Sequence, residues 1–249
     1  MRLLRDSFPD HPALDIALSH ALLGRVARGE LPPTVRLYRP GPTLAFGRLD
    51  TLRPGFAEAG AAARDAGFEP IVRLAGGHAA AYHEQSLIYE EITAQDDATA
   101  SLHDRFRDGA DLLADAIAGF GVDARVGEIP GEYCPGAYTV SAAGRIKLVG
   151  TAQRVVRGGA MLSAFVLVGG GERLRAALFD VYRALELAWD PATAGALDDA
   201  APGVSDGAVA EAILVARARD RDLAPASVDE RTLALARDLE PRHVWPLER

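Results

Sequence analysis

Lysine is almost absent from this 249-residue chain: of its 27 cationic side chains, all but Lys147 are arginine. Cysteine is as scarce, with Cys134 standing alone thirteen residues before that lysine. One thiol cannot close an internal disulfide, which suits a reducing cytoplasm. The absence of any Cys-X-X-Cys or Cys/His spacing argues against a zinc site and against dithiol redox chemistry, so no metal is expected. No apolar run approaches the roughly 20 residues of a spanning helix. Met1 to Asp15 mixes charge and proline without the apolar stretch of a signal peptide. A cytoplasmic protein without a membrane partner is the expectation. The net charge of -8 lacks the basic surface that general nucleic-acid binding requires. No fixed-period repeat and no linker divides the chain, and its length supports a core without staples. One domain over 1–249 is therefore expected.

What is present reads as helix, sheet, helix, sheet, then helices, an α+β order and not an alternating βαβ one. An amphipathic helix is predicted from His11 to Arg28, ended by Pro32 and Pro33. Strands follow at Thr34–Tyr38 and Thr43–Gly47, an alanine-rich helix at Phe56–Ala66, then strands at Pro70–Leu74, Ala79–Tyr82 and Ser86–Ile92. Leu102 to Gly119 is helical and Val122 to Val126 extended. Two hairpins are predicted next. The first joins Tyr138–Ala142 to Ile146–Gly150, and the second joins Gln153–Val156 to Met161–Val168. Helices close the chain at Glu172–Leu187, Gly207–Arg219 and Asp229–Leu239, and 190–206 reads as a loop.

Three constellations carry chemistry. In Arg73-Leu74-Ala75-Gly76-Gly77-His78, the paired glycines permit positive φ and close approach of a ligand, or simply make a tight turn. Ala79, Ala80 and Ala81 after them leave space for a slim apolar chain. His83 suits either a general base or an interior histidine satisfied by hydrogen bonds. In Tyr133-Cys134-Pro135-Gly136, the thiol sits in a stiff loop where a nearby cation would favour its nucleophilic thiolate; a small buried hydrophobe is the other reading. In Lys147-Leu148-Val149-Gly150-Thr151-Ala152, a compact ammonium on a strand suits an acyl oxygen and the oxyanion that forms on attack. A solvated lysine on an edge strand is the alternative there.

Across most of the chain these runs resemble the biotin/lipoate protein ligase and octanoyltransferase superfamily. Arg73 to His83 looks like its lipoyl-binding loop, and Lys147 to Ala152 like its lysine motif. Tyr-Cys-Pro-Gly upstream of the lysine resembles the cysteine-dependent octanoyl amidotransferases. Those enzymes move an octanoyl group from the glycine-cleavage H protein to the lipoyl domains of E2 subunits. Related transferases draw on acyl carrier protein instead. Two departures stand out. His78 occupies a position where the ligases carry a small residue, and the Cys134–Lys147 spacing is about one residue longer than the amidotransferase pattern.

The resemblance implies a ligase-like catalytic domain with mixed sheets flanked by helices. It implies an octanoyl or lipoyl transferase in which Cys134 forms the thioester and Lys147 holds the carbonyl oxygen. The acyl chain would run along Arg73, Gly76, Gly77, Ala79 to Ala81, His83, Gly150, Thr151 and Ala152. Arg145, Arg154 and Arg157 would dock the carrier. No cofactor is needed for transfer. Two alternatives remain. One is an ATP-dependent lipoate ligase with Cys134 a bystander, although the helices after Gly207 are short for the extra C-terminal domain many ligases carry. The other is an inactive accessory subunit of a split ligase.

Overall fold

A computed structural model describes residues 1–95 and 102–246. Its larger sheet has eight strands. These are β1 (Arg2–Leu4), β2 (Thr34–Tyr38), β6 (Ser86–Ala94), β7 (Ala124–Val126), β8 (Val140–Ala142), β9 (Ile146–Val156), β10 (Gly159–Leu167) and β11 (Ala224–Pro225). They lie in the order β11-β1-β2-β6-β10-β9-β8-β7. A three-stranded sheet, in the order β4-β3-β5, combines β3 (Thr43–Phe46), β4 (Glu69–Val72) and β5 (Ala80–Tyr82). The helices are α1 (Pro12–Ala27), α2 (Phe56–Asp65), α3 (Leu102–Ala118), α4 (Gly171–Ala184), α5 (Leu197–Ala200), α6 (Asp206–Ala218) and α7 (Glu230–Leu239). The α+β expectation holds. No helix among the described residues is long and apolar enough to cross a membrane.

Strand alternation sorts the core. On β6 and β10, Leu87, Tyr89, Leu162, Ala164 and Val166 face one way and pack with Leu113 and Ile117 of α3 and Ile213 of α6. Ile88, Phe165 and Leu167 face the other way, toward Ile16 of α1, the small sheet and Leu178 of α4. This period of two on a buried sheet is what fixes register, because a slip of one residue would invert both faces. The candidate site lies on the side of the second face.

Most predicted elements appear within a few residues of their expected ends. One correction concerns Thr151 and Ala152, which fall between the predicted strands Ile146–Gly150 and Gln153–Val156. β9 instead runs unbroken from Ile146 to Val156, paired with β10 from Val149 to Val156 and with β8 at its start. Gly150 does not interrupt the strand; it faces Phe165, whose ring would lie 2.3 Å from any Cβ placed there. Both predicted turns survive: Ala143 and Gly144 have φ of 52° and 69°, and Gly158 has 84°. A second correction concerns 190–206, which carries a 3-10 turn at Pro191–Thr193 and the short α5. Ala194 there makes a parallel bridge to Lys147. β1 and β11 were not predicted, because three- and two-residue strands are too short to show periodicity.

Candidate active site

The loop between β7 and β8 carries Glu132, Tyr133 and Cys134, and Lys147 of β9 holds it in place. The Lys147 Nζ donates to Glu132 Oε2 at 2.6 Å, to the Tyr133 carbonyl at 3.0 Å and to the Cys134 carbonyl at 2.8 Å. Three ammonium protons thus meet three acceptors, and both ends of the ion pair are sealed from solvent. The Glu132 carboxylate also accepts from the Ile129 N–H at 3.0 Å and the Thr139 hydroxyl at 2.8 Å. A buried pair tolerates desolvation only when its remaining valences are filled in this way.

Cys134 is half-buried and takes a φ of 44°, in the left-handed region that non-glycine residues rarely enter. Such backbone persists where neighbours over-determine it. Here the Cys134 N–H donates to the Tyr182 hydroxyl at 2.8 Å, and that hydroxyl donates on to the Ala79 carbonyl at 2.8 Å. Lys147 clamps the carbonyl side. The sulfur itself faces a different cation: Arg73 Nη2 lies 3.4 Å from Sγ and also donates to the His78 carbonyl at 2.8 Å. Burial lowers the Arg73 guanidinium's pKa, but Cys134, Tyr82 and Tyr182 together outweigh this and hold it above the ordinary value. Lys147, expected to support the thiolate, positions the loop, and Arg73 makes the contact with sulfur.

The two glycines of the Arg73 loop have different roles. A Cβ on Gly77, where φ is 94°, would lie 2.5 Å from Arg73 Nη2 and 2.8 Å from Cys134 Sγ, so this position must be glycine for the pair to meet. Around Gly76 there is open space.

An apolar slot leads inward from this corner. Gly150, Phe165 and Ile88 form its first rung, and Ala152, Ser163 and Glu90 the next. Ile16, Leu74, Tyr82 and Met161 complete its walls. Glu90 closes one side with a buried carboxyl that accepts from Ser19 Oγ at 2.6 Å. Burial raises its pKa against the pull of Arg36, 3.7 Å away. Arg36 also bonds Asp15, whose pKa burial likewise raises.

Several expected residues lie elsewhere. Ala79, Ala80 and Ala81 are packed in the core with Phe46, Phe68 and Tyr182 and do not line the slot. The Thr151 side chain points away from it, donating to the Tyr138 carbonyl at 3.1 Å. His83 is only 1% exposed. Its Nδ1 accepts from the Gln85 N–H at 3.2 Å, and Nε2 faces the Gly170 carbonyl at 3.4 Å. Both ring nitrogens are used, and burial lowers its pKa, so it is the interior histidine and not a free base. Arg145, Arg154 and Arg157 are all exposed. They bracket β9 at opposite ends, roughly 35 Å at ~3.3 Å per residue, and form no single patch.

Sequence reasoning missed Glu132, Tyr182 and the contact between Asp50 and His78. Glu132 lies two residues before Cys134, but with Glu128 in the same loop nothing local marked it as the partner of Lys147. Tyr182, on α4, carries no local signal. Among the described residues, no cluster of His, Cys, Asp or Glu fits a metal ion.

Comparison with known proteins places the chain in a family. The family described as Lipoyl protein ligase A/B catalytic domain matches residues 11–185. Two relatives are called octanoyl-[GcvH]:protein N-octanoyltransferase. The one from Geobacillus kaustophilus is 32% identical over 162 residues, covering 65% of this chain and 57% of its own. The one from Anoxybacillus flavithermus is 33% identical over 166 residues, covering 64% and 57%. The matched region thus spans little more than half of each relative. Among solved structures, protein Ta0514 of T. acidophilum with bound lipoic acid superposes with a TM-score of 0.78 at 22% identity, over 96% of this chain and 93% of that one. Lipoate-protein ligase A bound with ATP gives 0.75 at 21%, over 96% and 93%. At these identities the two structures speak for the fold. The family match covers more than half of the chain, and the chain belongs to the lipoyl protein ligase A/B catalytic-domain family.

Proposed function

We propose that this protein is an acyltransferase of lipoate assembly that carries an octanoyl or lipoyl group on Cys134. The observation that carries this reading is the sulfur's contact with Arg73, a guanidinium that also lines an apolar slot. The Cys134 thiolate attacks the acyl carbonyl of a carrier-bound donor, and a thioester forms as the donor's lysine amine leaves with a proton. The amine of an acceptor lysine then attacks the thioester, forming an amide and releasing the thiolate. Dividing one transfer into two lowers each barrier. Neither ATP nor a metal takes part.

Arg73 meets the charge that develops. Its Nε–H is buried and has no partner among the described residues, which suits an acyl oxygen arriving beside the sulfur. Lys147 was expected in that role, but its protons are all engaged; it acts by holding the Cys134 loop in shape. The relatives' names support the H protein of glycine cleavage as a carrier. Lipoyl domains are the proposed acceptors. A related T. acidophilum structure, of a bi-partite lipoate protein ligase and its E2 lipoyl domain, favours the same partner class.

Intact-protein mass after mixing with octanoyl-H protein, octanoyl-acyl carrier protein, or lipoate with ATP tests the reading. The expected result is an octanoyl adduct that hydroxylamine removes and Cys134→Ala abolishes. An adenylate formed from lipoate and ATP, with no adduct from either carrier, would make the protein a ligase instead.

A further inference from the structure

We propose that His78 and Asp50 form the proton-transfer dyad of this acyl transfer, with His78 Nε2 taking the proton from the attacking lysine amine. The proposal rests on the acyl-transfer reading and adds the base that reading lacks. Asp50 is buried between two donors. Its Oδ2 accepts from the Gly47 N–H at 2.8 Å, and its Oδ1 lies 2.8 Å from His78 Nδ1. A carboxylate can only accept, so Nδ1 carries a proton, and the neutral form of the ring that this contact selects has its lone pair on Nε2. That nitrogen has no protein partner among the described residues, and the ring is 28% exposed.

The dyad stands beside the nucleophile. Arg73 Nη2 bonds the His78 carbonyl at 2.8 Å and Cys134 Sγ at 3.4 Å, which puts that backbone oxygen at most about 6 Å from the sulfur, with the imidazole one side chain further on. Gly77, next to His78, is the residue whose Cβ would touch the sulfur. A base oriented by a carboxylate, close to a nucleophile and open to solvent on its free nitrogen, is the arrangement that nucleophilic acyl transfer uses. Other groups of the site are already committed. Glu132 and Lys147 neutralise each other, and both nitrogens of His83 are bonded.

The proton balance is closed. As the acceptor amine adds to the thioester carbon, its proton passes to His78 Nε2. The C–S bond breaks, and the electron pair leaves on Cys134 Sγ beside Arg73. The imidazolium, held by Asp50, then returns its proton to the Cys134 thiolate and resets the site. In the first half-reaction His78 Nε2 takes the Cys134 thiol proton as the sulfur attacks and passes it to the departing donor amine.

The test loads Cys134 with octanoate from a small thioester, octanoyl-N-acetylcysteamine, whose thiolate leaves without an acid. Single-turnover decay of the acyl-enzyme is then followed with a lipoyl domain or with hydroxylamine, an amine already unprotonated near neutral pH. For His78→Gln, transfer to the lipoyl-domain lysine should fall about 100-fold or more, while loading and hydroxylaminolysis stay within a few-fold. Imidazole should restore lysine transfer in His78→Ala. Undiminished lysine transfer would overturn the dyad. So would an equal fall with both acceptors and no imidazole rescue, which marks a purely structural histidine. If the unaltered protein gave no acyl-Cys134 from the thioester or from either carrier, the acyl-transfer reading would itself fall, and the dyad with it.

Discussion

The Lys147 ammonium and the Glu132 carboxylate meet at 2.6 Å in a place water does not reach. The only lysine of the chain is therefore a fixture of the nucleophile's loop. Removing either partner leaves the other charged and buried, at a cost of about 3–5 kcal/mol. Lys147→Met and Glu132→Gln should each lower unfolding free energy by that order in urea titrations. Lys147→Arg should not restore activity, since a planar fork cannot direct protons to one carboxylate and two carbonyls at once. Full acyl transfer by Lys147→Arg would contradict the positioning role.

Gly76 and Gly77 give a matched pair. Gly77→Ala drives a methyl between Arg73 and Cys134 at a strained φ, a backbone penalty of about 1–3 kcal/mol. Acyl-enzyme formation should drop at least tenfold. Gly76→Ala meets open space and should stay within about twofold, given that surface changes fall within roughly 0.5 kcal/mol. Rapid-quench mass spectrometry of the octanoyl adduct separates the two. Equal loss in both would mean that the loop, and not the Arg73–Cys134 contact, is what matters.

Slot depth can be read from chain length. Ala152 and Ser163 are the small residues of the second rung, facing Glu90. Ala152→Leu fills that rung and leaves the first untouched. Octanoyl loading should fall at least tenfold relative to butanoyl loading, because overpacking costs about 1–3 kcal/mol. An unchanged ratio would place the acyl chain outside this slot.

Acid should loosen the seam between α1 and the residues after α7. His20 Nδ1 meets His243 Nε2 at 3.2 Å, and His243 Nδ1 donates to the Val72 carbonyl at 2.8 Å. Burial, then the charges of His243, Arg242 and Arg154, lowers the His20 pKa to about 4. Burial also lowers that of His243. The unfolded chain takes up these protons below about 6.5 while the folded pair resists. Stability should therefore fall as pH drops from about 6.5 to 4, by at most about 1.4 kcal/mol per unit for each histidine. Denaturant melts of His20→Gln should show a shallower decline than the unaltered protein. An identical slope would assign the acid sensitivity to carboxylates.

Cys134, Lys147 and the glycine loop stood out in the sequence because each is local: a rare residue type in a short run that needs a special backbone. The strands stood out too, since a buried sheet imposes period two on β6 and β10. The partnerships were not legible. Arg73 reaches Cys134 across 61 positions, and Tyr182 reaches it across 48. Residues so far apart are joined by packing and not by pattern. His83 and the run Ala79 to Ala81 were misplaced for the converse reason. Small and polar residues beside a glycine loop read alike whether they face a ligand or the core.

The family match stops at residue 185, yet the fold does not. Ala194 bridges directly to Lys147, and Val244 to Ile71 on the strand that leads into Arg73. Trp245 lies so close to Gly60 of α2 that a Cβ there would overlap its ring. The last quarter of the molecule is thus a brace on β9, which carries Lys147, and on β4, which leads into Arg73. Chimeras that exchange this segment between relatives should not behave as modular swaps, since a loosened tail would be felt first at Arg73 and Lys147.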